Sequence, residues 1–268
     1  MTFFIGQVLP YVAVVIFTLG ILYRLWRWAA ARIIHNVTLS PFPQSNAQVA
    51  GIYAGEIVLF RNVFLFDKGL WIGAWPMHVA LGSVIGGHVV GIYFLGKQFT
   101  YIGLSEHLSE QMSALLGTVF GLIMLAGLLV LLYRRLAIDS VRKISVPGDY
   151  LHLLLLLGIV SVGNFMRLFP AYGLEYEPAR EYITGLVYLN PIPIPDNPLF
   201  IIHFLLVQVL LIVFPFSKLM HLFGMFANRW IMNRVYHDPA PGLPGVDLSK
   251  GVPVVNAVSE GGVTSAGV

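Results

Sequence analysis

Four histidines lie inside apolar stretches long enough to cross a bilayer, and they come in two pairs. His203 and His221 sit in NPLFIIHFLLVQVLLIVFPFSKLMHLFGMF, residues 197–226; His78 and His88 sit in GAWPMHVALGSVIGGHVVGIYFLG, residues 73–96. An ionisable side chain inside a membrane helix is costly enough that it usually has a task. Read as one helix, positions 203 and 221 are eighteen residues apart, five full turns that return both to one face about 27 Å apart along the axis. Positions 78 and 88 are ten residues apart, or about 15 Å. A lone histidine in such a helix could equally be hydrogen-bonded to a neighbouring helix. Two helices with two imidazoles each predict instead two bis-histidine metal centres stacked across a membrane, and the metal chemistry that fits is haem.

The elements that must hold these residues are membrane helices. Of the 268 residues, 57% are hydrophobic and only 11% charged, against roughly 45–50% and 25% in soluble domains. Five apolar segments absorb nearly half the chain: about Ile5 to Tyr23, the His78/His88 segment, about Met112 to Tyr133, about Asp149 to Phe169, and the His203/His221 segment. The expected fold is an all-α integral membrane protein, a haem-binding bundle of five transmembrane helices over residues 1–228, followed by a Pro/Gly-rich cytoplasmic tail over 229–268. The first segment lacks a basic n-region and a small-residue cleavage site, so it reads as a retained anchor. The chain has no cysteine, which excludes disulfides, a cysteine-held iron–sulfur cluster and covalent c-type haem attachment. A net charge of +3 without a basic run excludes nucleic acid as a partner.

Basic residues beside the segments set the orientation. Arg24, Arg27 and Arg32 follow the first; Arg134, Arg135, Arg142 and Lys143 follow the third; Lys218, Arg229 and Arg234 attend the fifth. The positive-inside rule then places the N-terminus outside and the C-terminus in the cytoplasm of a multi-pass inner-membrane protein. Segments two and five run antiparallel, so His88 and His203 share the outer half, and His78 and His221 the cytoplasmic side. The two axial spacings average to about 20 Å between centres.

Further residues fit around such centres. Gly82, Gly86, Gly87 and Gly91 flank both histidines of the second segment, where a porphyrin pressed on a helix needs missing side chains. Gly117 and Gly121 in the third fit small-residue helix packing equally well. Arg134, Arg135 and Lys218 are candidate partners of haem propionates on the cytoplasmic side, in competition with lipid headgroups, and Arg167 is the candidate outside. His35, His107, His152 and His237 lie in loops or at helix ends, where solvation is the default. Between the first two segments EIVLFRNVFLF, residues 56–66, is too short to span and reads as an interfacial helix or docking surface. The stretch between segments four and five, rich in acid, tyrosine and proline, reads as an ordered, water-facing loop. Pro215 reads either as a kink that aims His221 or as one of the prolines membrane helices tolerate.

The H-x9-H pair with GGH at its second member, the segment ending LLVLLYRRL and the pattern H-x11-PFSKLMH resemble the dihaem cytochrome b family of the respiratory nitrate reductase gamma subunit, over about Pro10 to Phe226. Within it, YVAVVIFTLGILYRLWRWA and EIVLFRNVFLF are most similar to the membrane subunit of the dissimilatory sulfite-reductase-associated complex, the DsrM type. The resemblance implies two b haems, with His88 and His203 ligating the outer one and His78 and His221 the inner one. It implies quinone or quinol exchange near the outer haem and a cytoplasmic iron–sulfur partner of the heterodisulfide-reductase-like kind, with periplasmic redox subunits as further candidates. The chain would then be the quinol-oxidising or quinone-reducing component of a larger oxidoreductase of sulfur metabolism or another anaerobic respiration. The nitrate reductase gamma subunit itself and a haem-free membrane anchor are the alternatives; a proton-conducting transporter is disfavoured because the mid-span regions contain no Asp or Glu. The family's quinol-binding lysine before the third segment has no counterpart, Ser109 standing in its place. The expected quinone slot is therefore the gap left by Gly87 and Gly91, with His88 or His107 accepting a hydroxyl and Arg167 completing the wall.

Overall fold

The computed structural model of the chain describes residues 1–31 and 45–232. His35, His237, Arg32, Arg234 and the expected tail from residue 233 onward lie outside the described residues. All regular structure among the described residues is helical: α1 (Leu9–Ala30), α2 (Asn46–Leu59), α3 (Arg61–Phe66), α4 (Lys68–Phe94), α5 (Glu106–Ala137), α6 (Asp139–Ile144), α7 (Pro147–Leu168), α8 (Tyr176–Val187), α9 (Pro198–Val213) and α10 (His221–Met232). Five helices are long and apolar enough to cross a membrane, at residues 4–30, 68–94, 106–137, 147–168 and 198–216. Large apolar side chains on them, such as Leu19, Val89, Leu115 and Leu154, are exposed, as lipid-facing residues are.

The chain divides into two compact units, Met1–Arg24 with Phe60–Met220, and Leu25–Leu59 with His221–Val268. In the first, α4, α5 and α7 enclose a core of Met77, Ala80, Met124, Leu128, Leu153 and Val160. Glycines let these helices approach. A Cβ on Gly127 would stand 2.6 Å from that of Met77, and one on Gly121 would overlap Asn164 Oδ1. Asn164 Nδ2 donates to the Gly121 carbonyl at 2.9 Å, an interhelical bond worth about 0.6–2 kcal/mol in a bilayer. Gly117 and Gly121 thus pack helices.

The start of α1 shows how a proline is accommodated. Pro10 has no N–H, so the Gly6 carbonyl lacks its usual helical partner. The chain takes a π-turn over Phe4–Val8, in which Leu9 N–H reaches back to the Phe4 carbonyl. Tyr182 Oη donates to the stranded Gly6 carbonyl at 2.6 Å, and Gln208 Nε2 to that of Ile5 at 3.0 Å. Tyr182 lies on α8, outside the spans, and its burial pushes the phenol well above its ordinary range, so it remains a donor. The expected loop between the fourth and fifth spans therefore contains a helix, whose buried Tyr182 and Leu186 form a second core with Ile194.

The fifth span differs from expectation. Residues 197–226 are not one helix: α9 ends at Val213, two 3₁₀ turns cover Phe214–Phe216 and Lys218–Met220, and α10 begins at His221. Pro215 cannot donate to the turn before it and its ring excludes a helical neighbour. Ser217 is extended, φ −113° and ψ 175°, and its hydroxyl donates to the Phe214 carbonyl at 2.9 Å and accepts Leu219 N–H at 3.1 Å. The shared face of His203 and His221, their 27 Å spacing and the 20 Å between centres therefore lose their basis.

In the second unit, Trp28 at the end of α1 lies under Gly224 of α10, where a Cβ would meet the indole at 3.4 Å. Helix α10 continues to Met232, into the segment expected to belong to the tail.

Candidate metal centre

His88 and His203 face each other. Their rings are parallel to within 6°, with centroids 6.3 Å apart. His88 Nδ1 donates to the Val84 carbonyl at 2.7 Å, one turn back on α4, and His203 Nδ1 to the Ile159 carbonyl of α7 at 3.0 Å. A carbonyl can only accept, so each Nδ1 carries the proton and each Nε2 is left as the lone-pair nitrogen. Metal-ligating histidines are fixed in this way. With about 2 Å from each nitrogen to a shared metal and about 1 Å from that nitrogen to the ring centre, trans imidazoles would have centres roughly 6 Å apart. The centroid spacing, the parallel rings and the free Nε2 atoms are each compatible with a bis-histidine haem.

Space for a flat group lies beside it. A Cβ on Gly82, Gly86 or Gly87 would meet nothing within 4 Å. Gly91 differs, because the Tyr176 ring lies across it, 3.2 Å from where its Cβ would be. Part of the expected quinone slot is thus filled from α8. On α7, Gly163 leaves room for His203, whose Cε1 would be 3.2 Å from a Cβ there. Neither Gly163 nor the Ile159 carbonyl was singled out from the sequence; a mid-span glycine was a visible signal for the first, and nothing signals the second.

His78 has the same local geometry as His88: Nδ1 donates to the Ala74 carbonyl at 2.8 Å. The Phe60 ring packs edge-on against it, with centroids 5.1 Å apart, from a residue in the left-handed region at φ 52°. His221 is the first residue of α10, in the second unit.

The basic residues expected near propionates are engaged with the chain's own groups. Arg134 donates to Asp67 Oδ2 at 2.6 Å, and Asp67 also caps α4 through Leu70 N–H at 2.8 Å. Arg135 donates to Ser145 Oγ at 2.8 Å and lies 3.5 Å from Asp149 Oδ2. Lys218 reaches the same buried carboxylate at 2.9 Å. At the other end, Arg167 Nη2 donates to the Ser113 carbonyl at 2.9 Å and to Tyr176 Oη at 3.1 Å. His107 is exposed near the start of α5. Ser109, by contrast, is fully buried, donating to the Gly96 carbonyl at 2.8 Å and accepting Phe99 N–H at 3.0 Å. It holds the turn after α4.

The described residues form an all-helical protein with five helices long and apolar enough to cross a membrane and an imidazole pair facing between two of them. The chain belongs to the nitrate reductase gamma subunit family, whose model matches residues 62–237, as its histidine spacings led one to expect. It is similar to the Hdr-like menaquinol oxidoreductase cytochrome b-like subunit of Archaeoglobus fulgidus, 28% identical over 258 residues that cover 82% of this chain and 76% of that relative. It is 33% identical over 168 residues to the nitrate reductase gamma chain of Bacillus subtilis, covering 60% of this chain and 75% of that one. A third relative belongs to the dihydromethanophenazine:CoB–CoM heterodisulfide reductase of Methanosarcina thermophila, and is 26% identical over 178 residues, or 63% of this chain and 61% of the relative.

Proposed function

We propose that the chain is a dihaem cytochrome b that passes electrons between the quinone pool and a cytoplasmic iron–sulfur partner. The observation that supports this best is the His88/His203 pair, parallel to within 6° at 6.3 Å with both Nδ1 atoms committed to carbonyls. His78 and His221 hold the second haem, toward the cytoplasm, with the N-terminus outside. A b haem so held supplies one-electron transfer. The Val84, Ile159 and Ala74 carbonyls fix the imidazoles and raise their basicity. Oxidation of a quinol near His88 releases its protons to the outside, while its electrons are taken up by the iron–sulfur partner. The relatives named for a menaquinol oxidoreductase and for a heterodisulfide reductase favour a heterodisulfide-reductase-like partner, and we read the setting as sulfur metabolism in the cytoplasmic membrane. These 268 residues have no cysteine to hold an iron–sulfur cluster, which fits an acceptor on a partner.

The test is haem counting. Pyridine haemochrome analysis should give two haems per polypeptide; His88→Ala and His203→Ala should each remove the same haem, and His78→Ala and His221→Ala the other. One haem or none in the wild type, or loss of the same haem from His78→Ala and His203→Ala, overturns the assignment.

A further inference from the structure

Where α4 ends against α5 and α7, a polar cluster contains a hydrogen-bond acceptor that nothing described in the chain satisfies. Gln98, in the 3₁₀ turn after α4, donates through Nε2 to Ser113 Oγ at 2.6 Å. Ser113 has one hydroxyl proton, and it goes to a carbonyl, of Gly96 or Ser109, each at 2.8 Å. Its oxygen must therefore accept from Gln98, which fixes the amide with nitrogen toward Ser113 and oxygen away. Gln98 Oε1 is buried and, among the described residues, has no hydrogen-bond partner. A buried, unsatisfied acceptor is destabilising.

The surroundings suit a small polar head. Ser113 also receives Arg167 at its carbonyl, and Arg167 is bound to Tyr176 Oη. No carboxylate pairs with Arg167 among the described residues, so a half-buried cation without an anion is bonded to the same Ser113 that holds Gln98. Tyr176 lies across Gly91, one turn beyond His88. Through Tyr176 the cluster thus reaches the helix that carries His88.

We propose that Gln98 Oε1 accepts a hydrogen bond from the hydroxyl of a bound quinol, and that this makes the site beside His88 selective for quinol over quinone. A quinol presents O–H donors, whereas a quinone presents only acceptors. The one group Gln98 can offer is an acceptor, because Ser113 holds its amide nitrogen. Gln98 positions the ligand and takes no proton. The proposal rests on the reading of the proposed function that places the quinol near His88, and it replaces His88 and His107 with Gln98 as the group that meets the hydroxyl.

The test uses equilibrium dialysis of the purified full chain in nanodiscs with two redox-inert probes, 1-naphthol and its methyl ether, which differ in one O–H donor. Wild type should bind the naphthol about tenfold more tightly, the effect of one hydrogen bond to a desolvated acceptor. Gln98→Met keeps the side chain's shape and should bind both probes equally. Ser113→Ala frees the amide to turn its nitrogen toward the ligand and should also lose the preference. With the intact complex, Gln98→Met should raise the KM for a soluble naphthoquinol about tenfold and leave inhibition by the corresponding quinone unchanged. Equal binding of the probes by wild type, or an undiminished preference in Gln98→Met with both haems retained, overturns the proposal. Haem content is measured separately, so an error in the dihaem assignment appears there and not in the probe ratio.

Discussion

Gly163→Ala tests whether the His203 imidazole is positioned as a ligand. The added Cβ would stand 3.2 Å from Cε1 and 3.5 Å from Nδ1 of that ring. An ordinary carbon contact needs about 3.6 Å, so the ring must retreat about 0.4 Å. It is held on one side by the Ile159 carbonyl at 3.0 Å and faces His88 at 6.3 Å, so retreat lengthens the first contact or skews the second. A hydrogen bond from Nδ1 makes the imidazole a stronger donor, which favours the oxidised metal; weakening it should raise the midpoint potential. Losing about 1 kcal/mol of that bond corresponds to about 40 mV for a one-electron couple. Potentiometric titration of the purified variant should show one haem shifted upward by tens of millivolts and the other unmoved. The larger Gly163→Leu should lose that haem alone. A variant with two unshifted haems, or a shift confined to the haem that His78→Ala removes, would refute the placement of His203.

Two predictions concern the frame around the site. Asp149→Asn removes the charge that holds Lys218 and Arg135; because both cations are partly exposed, the loss should be modest, about 1–3 kcal/mol, read as a lower midpoint of thermal unfolding in detergent. Gly121→Val places a side chain where a Cβ alone would overlap Asn164 Oδ1, and it should cost at least about 3 kcal/mol through overpacking and the lost Asn164 bond, measured in the same way against Gly51→Val on α2, whose site is open.

The spans and the facing histidines were legible because each leaves a signal in one dimension: twenty apolar residues, or an imidazole where none is cheap. The break in the fifth span was half legible. Pro215 marks it, but membrane helices often absorb a proline, and whether this one kinks or ends the helix was settled by Ser217 turning its hydroxyl back on Phe214. Helix α8 was legible and missed. YEPAREYITGLV places Tyr182 and Leu186 one turn apart on a single face, and its acids and proline concealed a short amphipathic helix. The partners of the arginines were not legible. That Arg134 meets Asp67, 67 residues earlier, depends on how α4 and α5 pack, and no local pattern encodes it.

The helix that contributes no ligand to the described pair does most to place it. Within α7 the Ile159 carbonyl already has a place in the helical ladder, where its partner is the N–H four residues on, at Gly163. A carbonyl oxygen has a second lone pair, but in a helix the side chain at that fourth residue ordinarily crowds it. Here the residue is glycine, so the imidazole of a neighbouring helix reaches the oxygen at 3.0 Å without breaking the ladder. The two requirements are coupled: without the glycine the ring cannot approach, and without the ring the glycine only weakens the helix. A variant pair should show this. In His203→Ala, Gly163→Ala should become neutral or stabilising by up to about 1 kcal/mol, whereas with His203 present it should shift the potential and lower stability. Equal effects of Gly163→Ala in both backgrounds would mean that α7 serves only as packing and that His203 is set by something else.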